Sequence, residues 1–367
     1  QNISNQIIVP MKTILITGIG GMTPRSIARF IKKRYPNYKI IGIDANPKAL
    51  GFYMQGLIDK GYVAPRMDDP AYWEFVINLI KRESIDYAFV QPEVEVIGWE
   101  VYRKEHGTYP CPTFIPPLEL ATTLMDKSIM ADILNGSVYI PKTIKVTQDN
   151  PHFEEVEKEI GFPCWIRATK GSGGLGSLRL DSIDNYKSWL FINKEIPEFT
   201  VCEFLTGRHL ATQMLYIDGE YLKGAALECA EYVMANLVPS KVTGNTSFGR
   251  FLNEDRILSF CNSCIEYICN KLNLKAHGVL SFDLKEDREG NMKVTECNIR
   301  HMAYTGIMSE IGFDLVGDSM RYIEAGNAYG IERAPYYHYE KPYIFLRDVD
   351  IEPIILDRES ELLVSYE

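Results

Sequence analysis

FPCWIRATKGSGGLGSLRL, residues 162–180, reads as an apolar strand, a glycine-rich loop and a second strand. The strand from Phe162 to Ile166 runs into two cations, Arg167 and Lys170, and then into Gly171, Ser172, Gly173, Gly174 and Gly176. Glycine lets the main chain approach a ligand closely and leaves backbone N–H groups free to point at anionic oxygens. Cations beside such a run suit a phosphate. The same loop also occurs as a flexible hairpin that binds nothing, so by itself it leaves both readings open.

Farther along, AHGVLSFDLKEDREGNMKVTECNIR, residues 276–300, reads as a hairpin. One strand covers 278–285, a turn passes through Glu289, Gly290 and Asn291, and the second strand covers 292–297. Asp283 lies on the first strand, and Glu296 and Asn298 on the second. Their i, i+2 spacing aims Glu296 and Asn298 at one face, and Arg300 continues the row. Oxygen ligands on a rigid hairpin suit Mg²⁺, which takes one or two carboxylates and completes its shell with phosphate oxygens. The competing reading is a solvated strand face with a cross-strand ion pair. Between the two segments, Val201-Cys202-Glu203-Phe204-Leu205 has the form of a strand ending in a connector able to hold a purine. Loop, connector and hairpin in that order describe a nucleoside triphosphate site between two lobes.

The amino-terminal part has another character. KTILIT (12–17) is a short apolar strand, followed by GIGGM and by TPRSIARFIKK, a helix for which Thr23 is the expected cap and Pro24 a first-turn residue. KIIGIDA ends a second strand at Asp44, and a third falls near 85–91. Strands alternating with helices predict a parallel sheet with ligands at the carboxyl ends of its strands. The Gly18, Gly20, Gly21 turn departs from GxGxxG, yet Asp44 follows at about the ribose-binding distance. A nicotinamide-binding oxidoreductase is therefore an alternative. Helices are expected over 118–134, 152–160, 255–272 and 313–326, the last stopped by a glycine. Three strands with a turn at Asp218-Gly219 are expected after residue 198. The tail from 339 to 357 is strand-like.

Bulk properties narrow the classes. A chain of 367 residues exceeds what one core usually serves. Its 46% hydrophobic and 24% charged residues are ordinary for a globular protein, and the net charge of −10 opposes a sequence-independent grip on nucleic acid. No apolar run reaches the ~20 residues of a membrane span. Residues 1–10 look like an extension before a natural start at Met11. Among the eight cysteines only Cys261 and Cys264 form a CxxC, on a helical segment without a second pair, which favours buried thiols over zinc and fits a reducing cytoplasm.

These segments together resemble the ATP-grasp superfamily, in its carbamoyl-phosphate synthase large-subunit-like branch. The FPxxIRP…GG strand and loop of that branch is matched by Phe162-Pro163-Cys164-Trp165-Ile166-Arg167 and Gly173-Gly174. Its EMNPR strand is matched by Glu296-Cys297-Asn298-Ile299-Arg300, and its GGMTPRS-type turn by Gly20 to Ser26. Ala168 and Ile299 stand where the branch usually has proline, and Arg208-His209 follow Gly207 where a second acid is common. The chain has one nucleotide site and no second half, so carbamoyl phosphate synthesis is not expected.

The resemblance implies an α/β fold, α+β in the ATP lobes, with a Rossmann-like pre-ATP-grasp domain at 1–113. A small lobe at 114–187, a large lobe at 188–330 and a strand-rich extension at 331–367 would follow. It further implies ATP and Mg²⁺ as cofactors, with Mn²⁺ able to substitute. Lys127, Arg167, Lys170 and residues Gly171 to Gly174, including Ser172 and Gly173, would meet the phosphates. Glu203, Phe204 and Leu205 would form the hinge at the adenine, and His209 would contact the ribose. Asp283, Glu296 and Asn298 would hold metal, and Arg300, with Arg167 and Lys170, would steady the transferring phosphoryl group.

The implied reaction is ATP-dependent ligation of a small-molecule carboxylate to an amine through an acyl phosphate. An ATP-dependent carboxylase or kinase on the same fold is the other alternative. The acceptor would lie toward the amino-terminal domain, with Arg25, Glu93, Glu95, Lys241, Thr243, Arg250 and His301 as substrate candidates. Neither nucleic acid nor membrane is an expected partner, and a homodimer is an assembly the family often adopts.

Overall fold

The computed structural model describes residues 11–171, 174–348 and 363. The chain begins with β1 (Thr13–Thr17), α1 (Met22–Arg34), β2 (Lys39–Asp44), β3 (Lys60–Val63), α2 (Tyr72–Glu83), β4 (Tyr87–Phe89) and α3 (Glu93–His106). Next come α4 (Leu118–Met125), α5 (Lys127–Leu134), β5 (Thr143–Thr147), α6 (Phe153–Glu159), β6 (Cys164–Ala168), β7 (Leu178–Leu180) and α7 (Ile183–Ile192). Then follow β8 (Glu198–Glu203), β9 (His209–Ile217), β10 (Glu220–Tyr232), β11 (Thr246–Leu252), α8 (Asp255–Leu272), β12 (Gly278–Glu286) and β13 (Met292–Asn298). The last elements are α9 (Thr305–Glu310), α10 (Leu315–Ala325) and β14 (Ile344–Leu346). They form two compact units, one of residues 11–115 with 303–331, the other of 116–302 with 332–348.

In the first unit the parallel sheet runs β3-β2-β1-β4. All five residues of β1 are buried, as expected of a strand covered on both faces. Helix α1 buries Ile27, Phe30 and Ile31 at helical spacing and ends in Lys32, Lys33 and Arg34, which complement its carbonyl end. Thr23 is not its cap: the cap is Gly21, two residues earlier and extended in backbone, and Thr23 is buried in the first turn. Val316 and Met320 of α10 share a core with Ile14, Ile16, Ile27 and Phe30. Residues 303–331, expected in the large lobe, therefore belong with this unit. Gly326 stops α10 in the left-handed conformation, as expected.

The second unit holds two sheets, β5-β8-β6-β7 and β13-β12-β9-β10-β11-β14. In the four-stranded sheet, Ile144, Val146, Cys164, Ile166, Phe199 and Val201 join Val156, Tyr186 and Leu190 from α6 and α7 in one core. The alternating residues Lys145, Trp165, Arg167, Thr200 and Cys202 therefore lie on the other face. The single helix expected over 118–134 is two. Asp126 leaves helical geometry, and its carboxylate accepts from the Ser128 N–H at 2.8 Å and the Ile129 N–H at 3.1 Å, capping α5 and making Lys127 its first residue. The Asp218-Gly219 turn joins β9 to β10 as expected, both residues having positive φ. Of the carboxyl-terminal extension, β14 pairs with β11. The strand reading beyond residue 348, like residues 1–10, lies outside the described residues.

Candidate nucleotide and metal site

The hairpin β12–β13 sets Asp283 directly opposite Glu296 and Ser281 opposite Asn298, so these side chains share one face. The register then slips, from Asp283–Glu296 to Leu284–Val294, leaving Thr295 as an extra residue in a bulge. Thr295 Oγ1 donates to the Asp283 carbonyl at 3.0 Å, and its own carbonyl accepts from Arg167 Nη1 at 2.5 Å. Asn298 Nδ2 donates to Asp283 Oδ2 at 3.3 Å, and His209 Nε2 lies 3.5 Å from Asp283 Oδ1. His209 also meets the Tyr232 hydroxyl at 3.3 Å.

Lys127 ties this hairpin to the glycine loop. Its ammonium lies 3.3 Å from Glu296 Oε1 and donates to the Gly171 carbonyl at 3.0 Å. Gly171 itself needs the φ of +103° that glycine permits. Gly174 passes so close to the 240–244 loop that a Cβ there would lie 2.9 Å from the Val242 carbonyl oxygen. Lys170 is exposed, and Ser172 and Gly173 lie outside the described residues.

Two buried polar atoms on the same sheet face make no hydrogen bond among the described residues: Arg167 Nε and Thr200 Oγ1. Arg167 and Thr200 are cross-strand partners. At the connector Glu203 is exposed, Phe204 half-buried and Leu205 buried. The Phe204 ring centre lies 6.1 Å from that of Trp165, 4.9 Å from the Arg179 guanidinium carbon and 5.6 Å from Lys285 Nζ. Burial pushes the Cys202 thiol up to about 11, which leaves it a neutral wall residue.

The donor set fits Mg²⁺. Two carboxylates face one another with an amide beside them, held among the described residues by contacts of 3.3 to 3.5 Å. Among the described residues no group of three or more His, Cys, Asp or Glu side chains could cage a metal alone. Mg²⁺ in general takes one or two carboxylates and completes its shell with phosphate oxygens and water.

The remaining expected site residues are spread more widely. Arg300 Nη1 donates to the His301 carbonyl at 3.1 Å, while its own carbonyl accepts from Ser281 Oγ at 3.1 Å. His301 is buried, and burial with the Arg300 charge pushes it down to about 3, so the imidazole is neutral at ordinary pH. Arg250 pairs with Glu228 at 3.2 Å across β10 and β11. Lys241 Nζ donates to the Asn236 carbonyl at 3.3 Å and Thr243 Oγ1 to the Val233 carbonyl at 2.7 Å, so both tie their own loop together.

In the other unit Arg25 Nε donates to the Gly21 carbonyl at 3.2 Å, and Glu93 opens α3. Glu95 accepts from the Tyr72 hydroxyl at 2.8 Å; burial raises its carboxyl to about 7, against hydrogen bonds from Tyr72 and Thr17 and with the help of the Asp44 charge. The Asp44 oxygens accept from the N–H groups of Gly20 and Asn46, both at 2.9 Å, so this carboxylate braces its own turn. Thr200, Trp165 and Lys285 were not singled out in the sequence. Alternation with the core residues Phe199, Val201 and Ile166 marks the first two, and the two-residue step from Asp283 marks the third.

No family model and no curated protein matches the sequence. Solved structures do. The biotin carboxylase domain of Hydrogenobacter thermophilus 2-oxoglutarate carboxylase, a domain dimer in complex with MgADP, ADP and bicarbonate, matches with a TM-score of 0.64 at 13% identity, over 89% of this chain and 72% of that one. Staphylococcus aureus N5-carboxyaminoimidazole synthetase, complexed with ADP, matches with a TM-score of 0.61 at 14% identity, over 84% and 76%. Bacillus licheniformis L-amino acid ligase matches with a TM-score of 0.60 at 13% identity, over 85% and 74%. This chain has the fold they share, the ATP-grasp fold.

Proposed function

We propose that the protein is an ATP-dependent carboxylate–amine ligase. The observation that carries this reading is the single lysine, Lys127, joining the start of the glycine loop to the carboxylate hairpin. A cationic loop and an acidic hairpin that meet at one ammonium make a site for a metal-bound triphosphate. The fold likeness to an L-amino acid ligase and to ADP complexes supports it.

In the proposed reaction a substrate carboxylate oxygen attacks the terminal phosphorus of ATP, releasing ADP. The amine then attacks the acyl phosphate carbon, giving the amide, inorganic phosphate and a proton passed to solvent or a nearby base. Asp283, Glu296 and Asn298 would hold Mg²⁺, which neutralises charge on the phosphate oxygens. Lys127 and Arg167 hold the phosphates, the buried Arg167 Nε and Thr200 Oγ1 orient them, and the glycine loop keeps water from the acyl phosphate. Arg300 is assigned to the developing acyl phosphate and the 240–244 loop to the acceptor. All eight cysteines are free and most are buried, which suits a reducing compartment such as the cytoplasm. The homodimer extends the reading by analogy with the Hydrogenobacter domain dimer.

The test is ADP release with panels of carboxylates and amines, in the wild type and in Glu296→Ala. Release that needs both substrates and a divalent ion, and is lost in the variant, is expected. Release that survives the substitution or ignores the metal would refute the ligase. Product analysis separates an amide from a carboxylated or phosphorylated product. Binding of NAD(H) without Mg-ATP binding would favour the oxidoreductase alternative, which the engaged Asp44 does not support.

A further inference from the structure

Resting on the nucleotide reading above, we infer that Lys285 is a base-contacting residue, its ammonium donating to a ring-nitrogen or carbonyl acceptor on the edge of the bound nucleobase. Lys285 lies on β12 two residues from Asp283, on the same face and directly opposite His209 of β9. Asp283 marks the phosphate end of the site. One same-face step along the strand leads from it toward the connector, where Lys285 Nζ sits 5.6 Å from the centre of the Phe204 ring. The lysine therefore stands at the base end of the cleft within this unit.

Among the described residues its charge meets no counter-charge. The other cation on the Phe204 ring, Arg179, pairs with Asp181 at 2.8 Å. Farther along β12, the Glu286 carboxylate is taken up by Arg208 and Arg256. Lys285 forms no hydrogen bond or ion pair with any described residue, and its ammonium lies over the Phe204 ring. A half-buried ammonium with its hydrogens unused is costly unless something accepts from it. A cation–π contact offsets only part of that cost. An ammonium carries three donors and no acceptor, so it reads acceptor atoms and cannot itself bond the exocyclic amino group.

The experiment is calorimetric titration of the full chain, as wild type, Lys285→Met and Lys285→Arg, with Mg-ATP, Mg-ribose 5-triphosphate and Mg-tripolyphosphate. Thermal melts of the ligand-free proteins accompany it. Methionine keeps the length and apolar stem and removes the charge. Loss of one charge-assisted hydrogen bond should weaken ATP binding about tenfold in Lys285→Met, with Lys285→Arg within about threefold of wild type. Both base-free probes should bind all three proteins alike, and the melting temperature of Lys285→Met should equal or exceed that of wild type. Unchanged ATP affinity in Lys285→Met overturns the inference. Equal weakening of either base-free probe does so too, by moving the contact to the sugar or to the phosphates. A lowered melting temperature would make Lys285 a structural residue instead. A wild type that binds no Mg-ATP overturns the nucleotide reading, and this inference with it.

Discussion

Asp283 and Glu286 stand three residues apart on one strand and have opposite surroundings. Glu286 is buried and saturated: Arg208 Nε and Nη2 donate to it at 3.0 Å each, and Arg256 Nη2 at 2.6 Å. Arg208 also grips Glu254 at 2.8 and 3.1 Å, and the backbones of Gly207 and Arg208 bond that of Glu286. Among the described residues, the side chains of Asp283 and its partner Glu296 have only longer contacts, to Asn298, His209 and Lys127. The saturated carboxylate anchors the end of the connector to the hairpin. In the proposed reading, a bound cation would supply the two less fully partnered carboxylates with their remaining partners. Within one hairpin, a full shell of short donors marks a structural acid and a sparse one marks a ligand.

The same substitution at both acids tests that distinction. Glu296→Gln should reduce ADP release about 1,000-fold, equivalent to ~4 kcal/mol of transition-state stabilisation, as a steady-state coupled assay would read. Its melting temperature should stay within about 2 °C of wild type, since only a partly exposed contact to Lys127 is lost.

Glu286→Gln should do the reverse. Two guanidinium partners lose a buried carboxylate; with both arginines partly exposed the cost is about 2–3 kcal/mol, below the range for fully buried pairs. A thermal melt should show a drop of about 5–10 °C, while calorimetry should find Mg-ATP affinity unchanged in the folded protein. If both variants lost activity at full stability, the distinction between the two acids would be wrong.

Acid titration sharpens it further. Hydrogen bonds from Arg208 hold the Glu286 and Glu254 carboxyls below their ordinary values, against the opposing effect of burial. A carboxyl depressed in the folded state contributes stability above its unfolded value of about 4.3 and loses it as pH falls toward the folded value. The gap in melting temperature between wild type and Glu286→Gln should therefore be widest above about pH 5 and close progressively below about pH 4. The smallest effect belongs to Arg250→Ala. Its pair with Glu228 is half-exposed, so a loss under about 0.5 kcal/mol is expected in urea denaturation. An ADP-release defect without that stability change would mark Arg250 as an acceptor residue.

Most of the elements near the site were legible because they rest on local chemistry. Apolar runs placed β6 and β8, the hairpin pattern placed β12 and β13, and turn residues set the 218–219 and 289–291 turns. The helix over 118–134 was misread as continuous because its apolar periodicity runs through Asp126, whose capping carboxylate breaks it. Thr23 failed as a cap because Gly21 had already begun the helix. The packing of 303–331 with the first unit rests on contacts between segments far apart in the chain, which no window of sequence contains.

Residue type and period alone determined a great deal: the order of glycine loop, connector and acidic hairpin, the parallel sheet ahead of them, and the shared face of Glu296 and Asn298. Those are local properties, since a two-residue repeat and a glycine run mean the same wherever they fold. Only the tertiary structure decided which charges are answered. Lys127 reaches Glu296 and Gly171 across long stretches of chain, Glu286 collects two arginines, and Lys285 and Arg167 Nε find no acceptor among the described residues. A charge is satisfied by whatever lies within about 3 Å of it, and that distance is set by the packing of strands distant in sequence.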